Sequence, residues 1–350
     1  MTSYHLAPEW ARQDAVILVW PSQHSDWAKQ TNHADLLNNV EQTYLELTHY
    51  LSRHQIVFLI TQNQDHKNIV ETHLAQKNIA FTNIHFIEIP TNDTWVRDFG
   101  PIAVQSNKSE EIYKLLDFNF DAWGEKYPYD KDNAFNQNFI SSLDIKLSYE
   151  KVDFTLEAGN LEINSKGALL TSSTCFKRNL ASQNLNRELL ETKLHDWLGC
   201  SNVCWIDDVV LAGDDTDGHI DNLARFCDDT IITYSALGHD HEPNSHALQL
   251  LVEQLNSIAK NNAYELVPLT MPEPIIVNGV QLPASYTNFL ISNEYVLVPV
   301  FNDKHDNNAL KMIDDCFPSK EIVDIESNAL IQQFGGIHCA SMQIPQGFIA

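Results

Sequence analysis

Several features that would define a protein class are missing from this sequence of 350 residues. No stretch approaches the roughly 18 consecutive apolar residues of a membrane-spanning helix, and no basic region followed by an apolar run opens the chain as in a signal peptide. The sequence therefore predicts a cytoplasmic protein with no membrane partner. Its six cysteines, at positions 175, 200, 204, 227, 316 and 339, are accordingly expected to be free thiols.

Positive charge is also scarce. Lysine and arginine together number 22 against 47 aspartates and glutamates, which gives a formal net charge of -25. Such a chain repels nucleic-acid phosphates, so no nucleic acid is expected as a partner, whereas an acidic cleft attracts a small cation. Solubility alone would also account for this charge, so it indicates a ligand only together with other features.

Apolar strands alternate with amphipathic helices along the chain, which predicts an α/β fold. Apolar runs predict strands at 15–20, 56–60, 85–90, 111–120, 167–173, 202–206, 230–234 and around 288–299. Helices are predicted from Leu37 to Leu51 with Asn32 as N-cap, at 186–198, from Pro243 to Ile258, at 307–316, and after residue 325. Asn278 and Gly279 predict a hairpin. No stretch resembles a linker, so a single domain over 1–350 is expected.

The stretch TNDTWVRDFGP, residues 91–101, follows a predicted strand. It brings Asp93 and Trp95 close to a charged pair, Arg97 and Asp98, where strands lead into loops and binding sites are commonly built. A purely structural interpretation is also open. Asp93 could form an Asx turn, Trp95 could belong to the core, and the charged pair could lie on the surface.

A second stretch, DDTDGHIDN at 214–222, contains His219 and Asp221 two positions apart, so in an extended segment they share one face. Such a cluster could bind a divalent metal. An EF-hand loop that starts at Asp214 would need glutamate where Arg225 stands, and the chain has neither an HExxH motif nor the spaced cysteine pairs of a zinc site. Cys200 and Cys204 are better explained as strand core. We therefore expect no metal.

A third stretch, FGGIHCASMQIP, presents Cys339 after two glycines that allow a tight turn. The cysteine is a candidate nucleophile, but a buried inert thiol fits equally well. His338 is not expected to be its base, because successive side chains of an extended segment point to opposite faces. Nearly equal lengths of chain separate Asp98, His219 and Cys339, which would suit a site built from several similar modules.

These groups together suit chemical attack on a guanidinium cation. Carboxylates bind a planar guanidinium through paired, charge-assisted hydrogen bonds. A thiolate can then attack the exposed central carbon, and the positive charge of the substrate favours the ionised thiol. A histidine near carboxylates can give a proton to the departing ammonia and then activate water.

Seven motifs occur in one order over about residues 7–345: APEW, WP, NDTWVRDFGP, LEAGN, DTDGHIDN, LPASYTNF and GGIHC. With them the sequence resembles the agmatine deiminase branch of the guanidine-modifying, or pentein, superfamily. The resemblance implies a five-bladed α/β propeller of ββαβ modules with pseudo-fivefold symmetry and the site at its centre. It implies hydrolysis of agmatine to N-carbamoylputrescine and ammonia through a covalent thiouronium intermediate, with no metal or organic cofactor.

The resemblance also assigns roles to residues. Cys339 corresponds to the nucleophile and His219 to the general acid and base, while Asp98 and Asp221 correspond to the guanidinium carboxylates. Glu157, in LEAGN, corresponds to a glutamate that contacts the substrate or orients the histidine, and Trp95 to a wall of the substrate slot.

Two positions depart from the family pattern. Ala158 stands where the family usually has the first glycine of EGG, which would shift the loop if that position needs a positive φ. The glycine run before Cys339 is also shorter than the usual GGGNIHC. The expected consequence is a changed pocket shape.

The charge around the site favours agmatine over arginine or a peptidyl-arginine. Their carboxylates would call for an arginine clamp, and of six arginines only Arg97, Arg178 and Arg225 lie in loops or motifs. The acidic run that includes Asp215 instead suits the substrate ammonium. A deiminase of another guanidine substrate, a thiol hydrolase acting on amides, and an acidic metal-binding or structural protein are the alternatives. A homo-oligomer is possible on the sequence alone.

Overall fold

The computed structural model describes residues 4–29, 35–106, 113–143, 148–238 and 243–349. Its strands are β1 Tyr4–Leu6, β2 Gln13–Val19, β3 Ile56–Thr61, β4 Ile84–Glu88, β5 Ile102–Ser106, β6 Tyr113–Asn119, β7 Ser148–Thr155, β8 Glu162–Ile163, β9 Ala168–Ser172, β10 Asn202–Ile206, β11 Ala224–Phe226, β12 Ile231–Ala236, β13 Glu265–Thr270, β14 Ile276–Val277, β15 Val280–Gln281, β16 Leu290–Ile291, β17 Tyr295–Val300, β18 Glu321–Glu326 and β19 Ser341–Pro345.

The helices are α1 Asp26–Lys29, α2 Leu36–Leu51, α3 Gln64–Gln76, α4 Val96–Phe99, α5 Ala122–Glu125, α6 Asp130–Asn133, α7 Phe135–Ser142, α8 Lys177–Ser182, α9 Arg187–Leu198, α10 Ser245–Asn262 and α11 Asp306–Cys316. Short 3-10 turns occur at Ala158–Asn160, Thr174–Phe176, Ile220–Asn222 and Leu330–Gln333. None of the helices in the described ranges is long and apolar enough to cross a bilayer.

Five sheets repeat one pattern, in which an antiparallel strand pair is followed by a parallel partner. Their orders are β19-β2-β3-β4, β1-β5-β6-β7, β10-β9-β8, β11-β12-β13 and β16-β17-β18. In each sheet, a helix joins the second strand of the antiparallel pair to the strand that lies parallel to it. These helices are α2, α7, α9, α10 and α11. A helical crossover is needed there because parallel neighbours cannot be joined by a tight turn. The module predicted from the resemblance is therefore present five times.

The two ends of the chain share one sheet. Ser341 in β19 lies opposite Leu18 in β2, in an antiparallel pairing. Ala15 to Val19 are fully buried, because the sheet packs against α2 through an apolar helix face that includes Val40 and Tyr44. This pairing fixes Cys339, two residues before β19, against the first module.

Most predicted elements agree with the structure, and the NVCWI strand coincides with β10. Two predicted helices differ from the structure, one in its start and one in its type. The helix predicted to open at Pro243 begins at Ser245, because Pro243 and Asn244 form a turn. The final helix predicted after residue 325 is a short 3-10 turn, Leu330–Gln333. The expected N-cap Asn32 lies outside the described residues.

Candidate active site

Five segments meet at one place, and each directly precedes the first strand of an antiparallel pair. Asp98 precedes β5, Glu157 precedes β8, and His219 with Asp221 precedes β11. The remaining segments contribute Asn288, before β16, and Cys339, before β19. Contacts across the site connect them, as given below. Each of the five sheets thus supplies one short polar segment to this place.

Cys339 lies in a buried, acidic environment. Nδ2 of Asn288 lies 3.3 Å from the sulfur, and Oδ2 of Asp221 lies 3.6 Å from it. Burial, with the negative charges of Asp221 and Asp98, raises the pKa of the thiol well above its usual value. In the free protein Cys339 is therefore a thiol rather than a thiolate.

His219 is fully buried between two carboxylates. Its Nδ1 lies 3.6 Å from Oδ1 of Asp98 and its Nε2 lies 3.9 Å from Oε2 of Glu157. Burial opposes a charged ring, but the carboxylates of Asp98, Glu157 and Asp221 outweigh it and raise the pKa of His219 to about 10. The ring is thus a cation at neutral pH and holds a proton that it can give away.

Asp98 is fixed by two donors. Nε1 of Trp123 donates to Oδ2 at 3.0 Å, and the backbone N–H of Gly159 donates to Oδ1 at 3.1 Å. Burial raises the pKa of Asp98 to about 6, against the charge of His219. The alternative interpretation of Arg97 and Asp98 as an ion pair on the surface is wrong. Both side chains are buried, and Arg97 instead binds Gln343 and the backbone oxygen of His338.

Asp221 has a different partner. Its Oδ2 accepts a hydrogen bond from Nδ1 of His338 at 2.9 Å. Burial raises the pKa of Asp221, but the hydrogen bond and charge of His338 outweigh it, so the net shift is downward. The two carboxylates expected to bind the guanidinium are therefore unequal, since the pKa of Asp221 is lowered whereas that of Asp98 is raised to about 6, which is still below neutral pH.

Several buried polar atoms around the thiol have no hydrogen-bond partner within the described ranges. They are Oε1 of Glu157, Oδ1 of Asp221 and both ring nitrogens of His219. Buried polar atoms in folded proteins are almost always paired, so a cluster of unpaired ones marks a place where a ligand binds. Two of these atoms are carboxylate acceptors, which suits a ligand that carries several N–H donors.

A cleft leads from the thiol to the surface. Its aromatic walls include Trp95, Trp123, Tyr127 and Phe334, and its acidic residues are Asp26, Asp93, Asp98 and Asp215. Trp95 is both a core residue, packed on Trp27, and a cleft wall. Asp215 lies in the cleft, where the hydroxyl of Tyr127 donates to Oδ2 at 2.7 Å. The described lining contains no arginine.

Each of the three arginines that could have clamped a substrate carboxylate has another role. Arg97 and Arg225 are buried and pair with Glu9, at 4.0 Å and 2.7 Å respectively. Arg178 pairs with Asp121 at 2.9 Å. The acidic lining of the cleft is therefore not matched by an arginine, although Lys126 pairs with Asp215 at 3.4 Å.

The two glycines of the cysteine turn are required by close contacts. A Cβ on Gly335 would lie 2.4 Å from Cζ3 of Trp95, and a Cβ on Gly336 would lie 2.2 Å from Oδ1 of Asn288. The shortened glycine run therefore retains the positions at which side chains would clash. Ala158 is not among the residues with positive φ, so the alanine in LEAGN introduces no backbone strain.

A buried ion network lies behind Asp221. One group of side chains in the described part of the chain has ligand atoms close enough for a metal: Glu9, Glu162 and His338, within 4.8 Å of one another. The guanidinium of Arg225 already bonds Glu9 and Glu162, so the cation between these carboxylates is an arginine. The 214–222 loop is held together by its own hydrogen bonds. The carboxylate of Asp214 accepts one from the hydroxyl of Thr216 and one from the backbone N–H of Gly218.

Sequence reasoning missed several of these residues. Asn288 lies in LPASYTNF and Glu9 in APEW, two motifs that carried the resemblance but had no assigned role. His338 was considered only as a base for Cys339 and set aside; the structure instead places its ring against Asp221. The place of Asn288 and Glu9 within motifs that carried the resemblance was the available signal.

The chain is similar to known deiminases in sequence and in fold. Residues 5–345 match the family model of Porphyromonas-type peptidyl-arginine deiminases. A C. jejuni agmatine deiminase, a cysteine-to-serine variant with substrate bound, is 32% identical with a TM-score of 0.88, and the match covers 98% of this chain and 97% of that one. The agmatine deiminase of Enterococcus faecalis is 25% identical with a TM-score of 0.83, over 98% and 96%. An arginine dihydrolase domain from cyanobacteria, 9% identical, shares the fold with a TM-score of 0.53.

Proposed function

The chain belongs to the Porphyromonas-type peptidyl-arginine deiminase family, and on that premise we propose that it hydrolyses agmatine to N-carbamoylputrescine and ammonia. One observation carries the proposal. Unpaired carboxylate oxygens of Glu157 and Asp221 surround a buried thiol at the end of an acidic cleft whose described lining has no arginine. That arrangement suits a ligand with a guanidinium at one end and a second positive charge at the other.

Binding begins with neutralisation of the site. Asp98 and Asp221 accept the N–H groups of the guanidinium, and their charges hold its plane against the thiol. Glu157, with an unpaired Oε1, accepts a further N–H and also favours the charged ring of His219. Trp95 forms a wall of the cleft along the substrate chain.

The substrate then activates its own nucleophile. Burial, together with the charges of Asp221 and Asp98, raises the pKa of Cys339 in the free protein. A bound guanidinium pairs with both carboxylates and adds a positive charge beside the sulfur, so the thiol releases its proton to solvent and becomes a thiolate. The sulfur attacks the guanidinium carbon, and a C–S bond forms.

His219 donates a proton in the first step and accepts one in the second. Its charged ring gives a proton to the departing nitrogen, the C–N bond breaks, and ammonia leaves a thiouronium on Cys339. The ring is now neutral and takes a proton from water, whose oxygen attacks the same carbon. The C–S bond then breaks, the thiol is restored, and the urea product, N-carbamoylputrescine, is released.

The amine end of agmatine is assigned to the outer part of the cleft. Asp26, Asp93 and Asp215 line it there together with Tyr127. Carboxylates beside an aromatic ring favour an ammonium over a carboxylate. A free arginine would place its own carboxylate near these acids, which is unfavourable without a neutralising partner.

We further propose that the five modules surround a common axis as a five-bladed propeller, with the site on that axis. Their sheets are separate, and the polar segments that precede β5, β8, β11, β16 and β19 supply the site. A single catalytic domain over 1–350, a cytoplasmic location and the absence of a metal or cofactor stay predictions from the sequence, which allows a homo-oligomer without predicting one.

Ammonia release from a matched panel tests this function. Agmatine, arginine, a peptide with C-terminal arginine and a simple amide should be compared at equal concentrations. We expect kcat/KM for agmatine to exceed the others by at least about 100-fold, because losing a charge-assisted contact costs about 1.5–3 kcal/mol and a substrate carboxylate adds repulsion. Preferred release from the peptide would favour a peptidyl-arginine deiminase, and release from the amide alone a thiol hydrolase.

A further inference from the structure

The buried ring of His338 bridges two carboxylates. Its Nδ1 lies 2.9 Å from Oδ2 of Asp221, and its Nε2 lies 2.8 Å from Oε2 of Glu9. Both acids and the ring are buried. Cys339 follows His338 directly in the chain, and the bridged oxygen of Asp221 is the one that lies 3.6 Å from the sulfur.

Hydrogen-bond chemistry determines the charge of this ring. Ionised carboxylates only accept hydrogen bonds, so each ring nitrogen must donate one, and only an imidazolium carries both N–H groups. Glu9 is held ionised by Arg225 as well, whose Nη2 lies 2.7 Å from Oε2. The pKa of Glu9 and that of Asp221 are both lowered from their usual values, despite burial.

We propose that His338 is a positioning residue whose ring, protonated on both nitrogens, holds Asp221 as an oriented carboxylate whose Oδ1 is left for the substrate. The ring acts through Asp221 and does not touch the substrate. The substrate-directed part of this inference rests on the proposed function.

The surrounding charges explain why such a cation is needed. The charged side chains that face His338 are Glu9 and Asp221, bonded to its ring, with Arg225, Arg97 and Glu162 beyond them. Asp221 has no arginine bonded to it in the described structure, so His338 supplies its directly bonded cation.

Asp98 provides the internal comparison. It is buried like Asp221, but its neighbouring cation is His219 at 3.6 Å rather than a hydrogen-bonded ring at 2.9 Å. The pKa of Asp98 is raised to about 6, whereas that of Asp221 is lowered. The closer cation thus distinguishes two otherwise similar carboxylates.

The charge state of His338 can be tested without any substrate. Nitrogen-15 NMR of the side-chain ring in the free protein, assigned by comparison with His338→Gln, distinguishes an imidazolium from either neutral tautomer. We expect both ring nitrogens to be protonated at neutral pH. A neutral ring would overturn the proposal, whether or not the protein acts on agmatine.

The effect on Asp221 is tested by kinetics. His338→Gln keeps one hydrogen-bond donor but removes the charge, so kcat/KM for agmatine should fall about 10- to 100-fold, the range for one charge-assisted hydrogen bond. The acid limb of its pH profile should also move upward by about one pH unit or more, because the carboxylate loses its cation. His195→Gln, in an exposed histidine bonded to the backbone oxygen of Cys200 and outside the site, is the control for the substitution itself and should leave the profile unchanged.

A double-mutant cycle separates positioning from a general structural effect. If His338 acts through Asp221, adding His338→Gln to Asp221→Asn should cause little further loss of kcat/KM. Fully additive losses would overturn the proposal. An unchanged acid limb in His338→Gln, with loss explained by a smaller folded fraction in thermal unfolding, would overturn it as well.

Discussion

The sulfur of Cys339 lies 3.6 Å from Oδ2 of Asp221, the oxygen that also accepts a hydrogen bond from His338 at 2.9 Å. An anion beside a thiol opposes its ionisation, so the nucleophile is protonated until something neutralises the site. The guanidinium of the proposed substrate would do this. Ionisation of the thiol therefore depends on a cation bound in the cleft. A neutral substrate brings no positive charge and is expected to react poorly.

Replacing the nucleophile should remove turnover without unfolding the protein. Cys339→Ala is expected to release no ammonia from agmatine, while its free energy of unfolding changes by no more than about 1 kcal/mol, since one small group is lost from a turn. Urea denaturation and an ammonia assay measure the two. Cys204→Ala, a buried thiol in β10, is the control and should retain turnover. Normal turnover by Cys339→Ala would contradict the mechanism.

The two guanidinium carboxylates should each contribute a large part of the rate. Asp98→Asn and Asp221→Asn keep the side-chain shape but remove the charge that binds the substrate cation, so kcat/KM should fall at least about 100-fold in each. Steady-state kinetics with agmatine measure the loss. Asp117→Asn is a matched control: Asp117 is a buried carboxylate that pairs with Lys151 and Asn136, away from the cleft. It should affect stability and not kcat/KM, and wild-type kinetics in the two site variants would show that the assignment is wrong.

Adjacent positions in the LEAGN loop should differ in their sensitivity to substitution. A Cβ on Gly159 would lie 2.6 Å from Nδ1 of His219 and 2.7 Å from Oδ1 of Asp98. Gly159→Ala should therefore displace both groups and lower kcat by about 100-fold, the scale of a misplacement near 1 Å. Ala158→Gly removes a methyl group from a backbone without positive φ and should leave kcat close to that of the wild type. Equal effects in the two variants would contradict the contacts described here.

The protonation of Asp98 should govern agmatine binding at low pH. Burial raises its pKa from 3.8 to about 6, so below that value the carboxyl is neutral and cannot pair with the guanidinium. Calorimetry with Cys339→Ala should show affinity falling about tenfold per pH unit well below pH 6. For folding the sign is reversed: this group contributes stability at low pH that is lost as the pH rises through about 6, because the folded protein holds the proton more tightly. Affinity independent of pH between 4 and 7 would count against Asp98 as a binding carboxylate.

The sequence predicted the helices and strands better than the contacts around the candidate site residues. Apolar periodicity was sufficient for β10 and α9, where Asn186 caps the helix and Gly199 ends it in the left-handed conformation. The type of the last predicted helix was wrong, because the few residues between β18 and the cysteine turn leave room for one 3-10 turn. The local pattern of apolar residues does not show how many residues the fold leaves for a helix at this point.

Long-range pairing explains what could not be predicted at the site. Arg97 and Asp98 are adjacent in sequence, yet Arg97 binds Gln343 while Asp98 accepts from Trp123 and Gly159. The partners of His338, Asp221 and Glu9, lie far along the chain in other modules. No spacing rule connects these positions, because they meet only when several sheets supply loops to one centre.

The central claim is that the sulfur of Cys339 attacks the guanidinium carbon of agmatine, and mass spectrometry tests it most directly. The protein should be mixed with excess agmatine, quenched in acid at several times during turnover and digested. We predict that the peptide containing Cys339 gains the mass of agmatine less ammonia, and that the same peptide from Cys339→Ala shows no gain. Ammonia released from agmatine at a normal rate while the Cys339 peptide stays unmodified at every quench time would contradict the account.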